Sequence, residues 1–121
     1  MLTSKEIAHL AVKALDDKLA RDIQILKTDK VTVLADYFVV ATGTSSTHIR
    51  TLADETEFHV QETLGLKPLR VEGFSDNASG GWTLLDFGCV VVHIFSEEMR
   101  SFYSLDRLWS DAEKIDYKDF L

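Results

Sequence analysis

The 121-residue sequence predicts a single α/β domain over residues 1–121, in which helices pack on a mixed β-sheet of about five strands. Two observations support this prediction. Two segments place apolar residues at helical spacing, and the segments 36–42 and 81–95 are rich in β-branched and aromatic residues. The signals follow in the order α-β-β-α-β-β-β-α, and 45% hydrophobic residues suffice for one modest core.

Both long helices carry end signals. Thr3 and Glu6 form a capping box for the first helix, which extends to about residue 20. Ser45 or Ser46 can cap the second helix, and Gly65 is placed to end it. The second helix has one apolar stripe, made of Ile49, Leu52, Ala53, Thr56, Val60 and Leu64.

Three strands are predicted before the hairpin. The segment 22–28 is typical of a short strand, with Ile23 and Ile25 on one face. The nearly continuous apolar run 36–42 is typical of a central strand that is buried on both sides. A third, short strand is expected at residues 69–71.

A β-hairpin is predicted for residues 81–95, GWTLLDFGCVVVHIF. If Phe87 and Gly88 form the turn, the facing pairs are Asp86–Cys89, Leu84–Val91 and Trp82–His93. Alternation then gives an aliphatic face, expected to pack against the helices: Thr83, Leu85, Val90, Val92 and Ile94. The opposite, mixed face consists of Trp82, Leu84, Asp86, Cys89, Val91, His93 and Phe95.

The mixed face permits two interpretations. Burying charge is costly, so Asp86 and His93 are unexpected on a covered face, and exposed apolar patches are typical of protein-binding surfaces. Alternatively, a helix covers this face and the two polar side chains are satisfied internally. The residue pattern leaves both interpretations open.

The chain after the hairpin predicts one more helix. Ser96 can cap it, with Glu97 and Glu98 in its first turn, where acidic side chains are favoured. The aromatic-rich segment 102–109 suits either a core or an interface. The tail from about residue 113 is expected to be peripheral.

The charge balance limits the partners. Thirteen basic and twenty acidic residues give a net charge of −7, without a lysine or arginine cluster, so direct nucleic-acid binding is not expected. The acidity suits a basic protein partner, although it can also serve solubility alone. A lone cysteine, no signal-peptide pattern and no membrane-spanning apolar run favour a cytoplasmic protein without membrane contact.

Enzymatic chemistry is the alternative function. The triplet Asp86-Phe87-Gly88 has the letters of a kinase metal-binding motif, but the other kinase motifs are missing. The loop GTSS, from Gly43 to Ser46, could cradle a phosphate at a helix N-terminus, yet it lacks the P-loop lysine. A minimal nucleotidyltransferase using this loop and Asp86 is thus the alternative. Histidine and cysteine spacing predicts no metal site, no catalytic residue is assigned, and no cofactor is expected.

Three motifs, DYFVVATGTS, GWTLLDFGCVVVHIF and RSFYSLDRLWSDA, resemble the Iojap/RsfS family of ribosomal silencing factors, and the similarity covers about residues 11–112. The resemblance implies a nucleotidyltransferase-like fold without catalysis. It also implies binding to the fourteenth large-subunit ribosomal protein at the intersubunit face, which blocks subunit joining and represses translation. Organellar relatives act in assembly of the mitochondrial large subunit, and free family members form homodimers.

The resemblance favours the partner-binding interpretation of the mixed face. The expected contact residues are Trp82, Leu84, Asp86, Val91, His93 and Phe95, with Phe87 at the turn and Tyr103, Leu105, Leu108 and Trp109 nearby. Aromatic side chains would be the desolvated anchors, and Asp86 would meet a lysine or arginine. The family commonly has Asp-Tyr-Gly-Asp where this chain has Asp86 to Cys89, so one hydroxyl and one acid are absent.

Overall fold

A computed structural model describes residues 4–28, 35–73, 82–102 and 113–121. The chain forms, in order, α1 (Ser4–Asp17), β1 (Arg21–Lys27), β2 (Tyr37–Gly43), α2 (Ser46–Leu64), β3 (Arg70–Glu72), β4 (Trp82–Asp86), β5 (Val90–Ser96), α3 (Glu97–Phe102), β6 (Glu113–Ile115) and a 3₁₀ turn (Tyr117–Phe120). The predicted α/β class and the predicted order of elements up to α3 are confirmed.

The six strands of the described ranges form one mixed sheet in the order β3-β4-β5-β2-β1-β6. The pair β2–β5 is parallel, and the four other pairs are antiparallel. The apolar run that predicted a central strand is β2, which lies between β5 and β1 with its last five residues buried. That prediction is therefore confirmed.

The described sheet has one strand more than the predicted number of about five. β6 lies at the sheet edge and pairs with β1, so the tail contributes to the fold. Beyond it, Phe120 is 4% exposed and packs against Tyr37 with ring centroids 5.6 Å apart. β6 consists of only three residues, two of them charged, so it shows no alternation from which a strand could be predicted.

The helices α1 and α2 cover the sheet face that carries the aliphatic residues of β4 and β5. The larger buried side chains of this core include Ile7, Val12, Leu15, Ile25, Val39, Leu52, Val60, Leu85, Val92 and Ile94. Within the described ranges, no helix is both long and apolar enough to cross a bilayer.

The second helix has the predicted ends. The Ser45 Oγ accepts a hydrogen bond from the His48 N–H at 3.0 Å, and Gly65 ends the helix in the left-handed conformation with φ of 68°. At the start of α3, the Ser96 Oγ accepts a hydrogen bond from the Met99 N–H at 3.1 Å. The proposed cap of α1, Thr3, lies outside the described residues.

The first helix ends at Asp17, earlier than the sequence predicts. Leu19 adopts a φ of 63°, and its N–H donates to the Asp16 carbonyl at 3.0 Å. The Ala20 N–H donates to the Leu15 carbonyl at 2.9 Å. This is a Schellman motif, in which glycine is the usual residue at the left-handed position that Leu19 occupies here.

Candidate partner-binding face

The hairpin turn lies one residue later than predicted. Asp86 pairs with Val91 and Trp82 with Phe95, and the Phe87 N–H donates to the Val90 carbonyl at 2.9 Å. The turn residues are therefore Gly88, with φ of 87°, and Cys89. Glycine at the first central position permits this turn, and the Asp86 Oδ1 accepts the Gly88 N–H at 2.8 Å.

The shifted turn leaves the two predicted faces intact, because every strand partner moves by two residues and alternation is kept. All five residues of the aliphatic face are at most 1% exposed. Phe87, however, lies between β4 and the two central turn residues, and its side chain is 8% exposed within the core on this face. The prediction that Phe87 is a central residue of the turn is therefore corrected, whereas its contact with a partner stays a prediction.

On the mixed face, side-chain exposure decreases from β4 toward the end of β5. Trp82 on β4 is 37% exposed, and Leu84, Asp86 and Val91 are half-buried. His93 and Phe95 on β5 are 6% and 1% exposed. The β4 side therefore offers accessible surface, whereas Phe95 can only support the face from within. The four expected contacts at Tyr103, Leu105, Leu108 and Trp109 lie outside the described residues.

Within the described part of the chain, four rings form an aromatic cluster on this face. The rings of Trp82, His93 and Phe95 are nearly parallel, within 14° of one another, with centroids 5.6–6.1 Å apart. Phe38 from β2 lies 5.0 Å from His93 at a tilt of 57°. The Trp82 Nε1–H donates a hydrogen bond to the His93 Nδ1 at 3.3 Å. The most exposed ring of the cluster is thus bonded to a buried one.

His93 is uncharged in this environment. Burial lowers the pKa of its imidazole to about 4, and the nearby carboxylate of Asp86 opposes that shift only in part. Its Nε2 is buried and has no hydrogen-bond partner among the described residues. The ring therefore contributes to the face through Nδ1 and its apolar surface.

Asp86 is the acidic group of the face and already has neighbours. Besides accepting the Gly88 N–H, its Oδ2 lies 3.9 Å from the Arg70 Nη2 on β3. Arg70 is shared with Glu72, because its Nε lies 3.4 Å from the Glu72 Oε1. Both pairs are solvent-accessible and weak, so a cationic partner can compete for the Asp86 carboxylate.

An open depression of about 580 Å³ adjoins this face. Its apolar walls come from Phe38, Leu84 and Val91, and its charged side from Arg70 and Asp86. Leu69, which is 78% exposed, stands at its rim. Such a mostly apolar depression with a few charged groups suits an amphipathic protein segment.

The parts of the alternative nucleotide site lie far apart. Gly43 pairs with Ser96 at one end of the sheet, whereas Asp86 pairs with Val91 near the other end. Those β5 partners are separated by about 16 Å, at roughly 3.3 Å per residue. The loop and Asp86 therefore cannot contact one phosphate.

The 43–46 loop is also occupied by local bonds. The Thr44 N–H donates to the His48 Nδ1 at 2.9 Å, and the His48 Nε2 lies 2.7 Å from the Lys18 carbonyl oxygen. A Cβ on Gly43 would lie 2.6 Å from the Ile49 Cγ1, so glycine here permits close approach of α2. Packing and capping account for this loop. The role of His48 was not predicted, since Lys18 is thirty residues away and no local pattern joins them.

Metal-binding groups are not clustered where the structure describes the chain: no three histidine, cysteine or acidic side chains could share an ion there. Cys89 is half-buried in the hairpin turn, and burial raises the pKa of its thiol. A raised pKa leaves less thiolate at neutral pH, which does not suit a nucleophile.

Known proteins resemble this chain along nearly its whole length. Residues 1–121 match the family described as "Ribosomal silencing factor during starvation", RsfS. Ribosomal silencing factor RsfS of Bacillus subtilis is 36% identical over 115 residues, which cover 95% of this chain and 94% of that protein. The Mus musculus protein named "Mitochondrial assembly of ribosomal large subunit protein 1" is 29% identical over 106 residues, covering 84% of this chain and 44% of that protein. A crystal structure of a Chromobacterium violaceum protein has a TM-score of 0.83 at 36% identity, covering 90% of this chain and 88% of that one.

Proposed function

The chain belongs to the RsfS family of ribosomal silencing factors, and on that premise we propose that it binds the large ribosomal subunit and represses translation by preventing the subunits from joining. The name of the mouse relative, which refers to assembly of a ribosomal large subunit, supports the choice of subunit. The chain acts by occupying a surface, in the cytoplasm, and it converts no substrate.

The observation that carries this proposal is the open part of the mixed face. Trp82 is the largest exposed side chain there, and Leu84 and Val91 extend an apolar surface toward the depression. A large aromatic side chain surrounded by half-buried apolar neighbours is the usual composition of an interface hot spot.

The partner we propose is the fourteenth ribosomal protein of the large subunit, as the family resemblance implies. Ribosomal proteins are basic, and a chain of net charge −7 attracts a basic protein while it is repelled by ribosomal RNA. Asp86 provides an acidic group inside the otherwise apolar contact area. In the free protein, the same face is available to a second copy of the chain.

A subunit-joining assay tests the proposal. Purified large and small subunits are mixed with the protein at rising concentration, and joined and free particles are separated on a density gradient. We expect free subunits to accumulate while the protein co-sediments with the large subunit. Unchanged joining at full occupancy of the large subunit would refute the mechanism, whereas absence of co-sedimentation would refute the binding itself.

Trp82→Ala is the variant that connects the activity to this face. Loss of a central aromatic anchor typically weakens an interface by about 2 kcal/mol or more, a shift of roughly thirtyfold in Kd. The matched control is Phe58→Ala, since Phe58 on α2 is also an exposed aromatic residue, at 56%. The control should bind like wild type. Equal losses in the two variants would show that the contact lies elsewhere.

A further inference from the structure

Trp82 and His93 differ sharply in exposure but are bonded to each other. Trp82 is 37% exposed and meets solvent, whereas His93 is 6% exposed. The indole Nε1–H can only donate, so the His93 Nδ1 that it contacts at 3.3 Å must be unprotonated. A neutral imidazole with a bare Nδ1 carries its proton on Nε2. The geometry thus fixes one tautomer of His93.

We propose that His93 is a positioning residue, whose unprotonated Nδ1 holds the Trp82 indole in the orientation that the large-subunit partner meets. This inference rests on the proposed function. Leu84 pairs with His93, and Phe95 pairs with Trp82, so Trp82 and His93 are diagonal neighbours on adjacent strands. The indole must lie along the sheet to reach that diagonal acceptor, and its plane is within 14° of the imidazole plane.

The buried Nε2 supports a role for the acceptor rather than for packing. An apolar ring at position 93 would pack against Trp82 and Phe95 equally well. It would also contain no buried nitrogen, whereas the His93 Nε2 is buried without a hydrogen-bond partner in the ranges that the structure describes. An unsatisfied buried polar group costs stability. Compared with phenylalanine, histidine therefore adds the Nδ1 acceptor at this position. Because this acceptor fixes the Trp82 side chain, Trp82 loses less conformational entropy when it binds a partner.

Two substitutions separate positioning from packing. His93→Phe keeps a flat buried ring but removes the acceptor, so the melting temperature should stay the same or rise while affinity for large subunits falls several-fold. His93→Asn places its Oδ1 at the position of the imidazole Nδ1, two bonds from Cβ, and should restore part of the affinity. Co-sedimentation with purified large subunits measures both effects.

Nuclear magnetic resonance of the free protein provides a readout that packing alone would not change. Long-range ¹H–¹⁵N correlations should report the Nε2–H tautomer of His93. The indole N–H signal that disappears in Trp82→Phe identifies Trp82, and in His93→Phe this N–H should shift and exchange faster with solvent.

The outcomes separate the two proposals. Wild-type affinity in His93→Phe, or the Nδ1–H tautomer in the wild-type protein, would overturn the role of His93 and leave the proposed function intact. Failure of the wild-type protein to bind large subunits would overturn the proposed function instead. The claim that His93 orients Trp82 for the large-subunit partner would then fall as well. Should His93→Phe fold poorly, the tautomer of the wild-type protein still decides whether the acceptor exists.

Discussion

The imidazole of His93 is buried and uncharged, so its protonation must oppose folding. Burial lowers its pKa from the usual 6.5 to about 4 in the folded protein, whereas an unfolded chain protonates it near the usual value. Between these values the unfolded chain binds more protons than the folded one, and stability therefore falls as the pH falls. Asp86, the acid on the neighbouring strand, moderates the effect without removing it.

We accordingly expect the free energy of unfolding to decrease by up to about 3 kcal/mol between pH 6.5 and pH 4 on account of this group. His93→Phe should lose this part of the slope, because no proton can bind at position 93. Urea unfolding at half-unit pH steps measures both slopes. Identical slopes in the two proteins would mean that His93 does not carry the effect.

Residue-scale properties of the site were predictable only in part. Alternation along β4 and β5 placed Trp82 and His93 on one face, which the structure confirms. Alternation could not predict that Trp82 is 37% exposed while Phe95 is 1% exposed, because exposure depends on the position of each strand in the sheet and on what packs over it. The residue pattern also gave no indication that His93 bonds to Trp82 rather than to Asp86.

At the scale of elements, the end of α1 stores backbone strain. Leu19 holds a left-handed conformation with φ of 63° and is 79% exposed, so its side chain contributes little packing in return. Leu19→Gly should raise the free energy of unfolding by about 0.5–1 kcal/mol, since relief of the left-handed strain exceeds the extra chain entropy of glycine. Chemical denaturation provides the measurement.

Leu19→Ala is the control for that prediction. Alanine keeps the Cβ that opposes the left-handed conformation, so the variant should remain close to wild type in stability. A gain as large as that of glycine would attribute the effect to loss of an exposed apolar side chain instead.

The contact between β2 and α2 gives a second prediction for elements. In Gly43→Ala, the new Cβ would lie 2.6 Å from the Ile49 Cγ1 and 3.2 Å from the Ile49 backbone nitrogen. We expect a loss of about 1–3 kcal/mol in stability from this overpacking. Thermal unfolding of Gly43→Ala, Ile49→Ala and the double variant forms a double-mutant cycle. The loss of stability caused by Gly43→Ala should be smaller in the Ile49→Ala background than in the wild-type background. Strict additivity would contradict the steric explanation.

Elements with strong periodicity were predicted well, and short or polar ones were not. The capped helix α2 and the apolar strand β2 have local signals that agree with their packing, and both were found. The hairpin turn was misplaced by one residue, because either candidate turn contains Gly88 and conserves the two faces. β6 gave no signal at all, since its three residues become a strand only through pairing with β1.

At the scale of the whole molecule, net charge and local charge can be separated by experiment. Asp86→Lys and Glu62→Lys change the net charge of −7 equally, but only Asp86 lies on the mixed face, whereas Glu62 is exposed on α2. Asp86→Lys should weaken binding to large subunits far more than Glu62→Lys does. Added salt should reduce the difference in affinity between Asp86→Lys and the wild-type protein. Co-sedimentation at several ionic strengths measures this difference. Equal weakening by both variants would indicate a general charge effect without contact at Asp86.

The parallel pairing of β2 with β5 affects how the chain folds during synthesis. Tyr37 pairs with Val90, so the two central strands are separated along the chain by α2, β3 and β4. An N-terminal portion that ends before β5 cannot complete the middle of the sheet, and the apolar β2 then has no partner on that side. Long-range pairing of this kind slows folding, and unpaired strands are exposed to association with other chains. We therefore expect chaperones to protect the nascent chain until β5 has been synthesised, because the centre of the sheet can form only then.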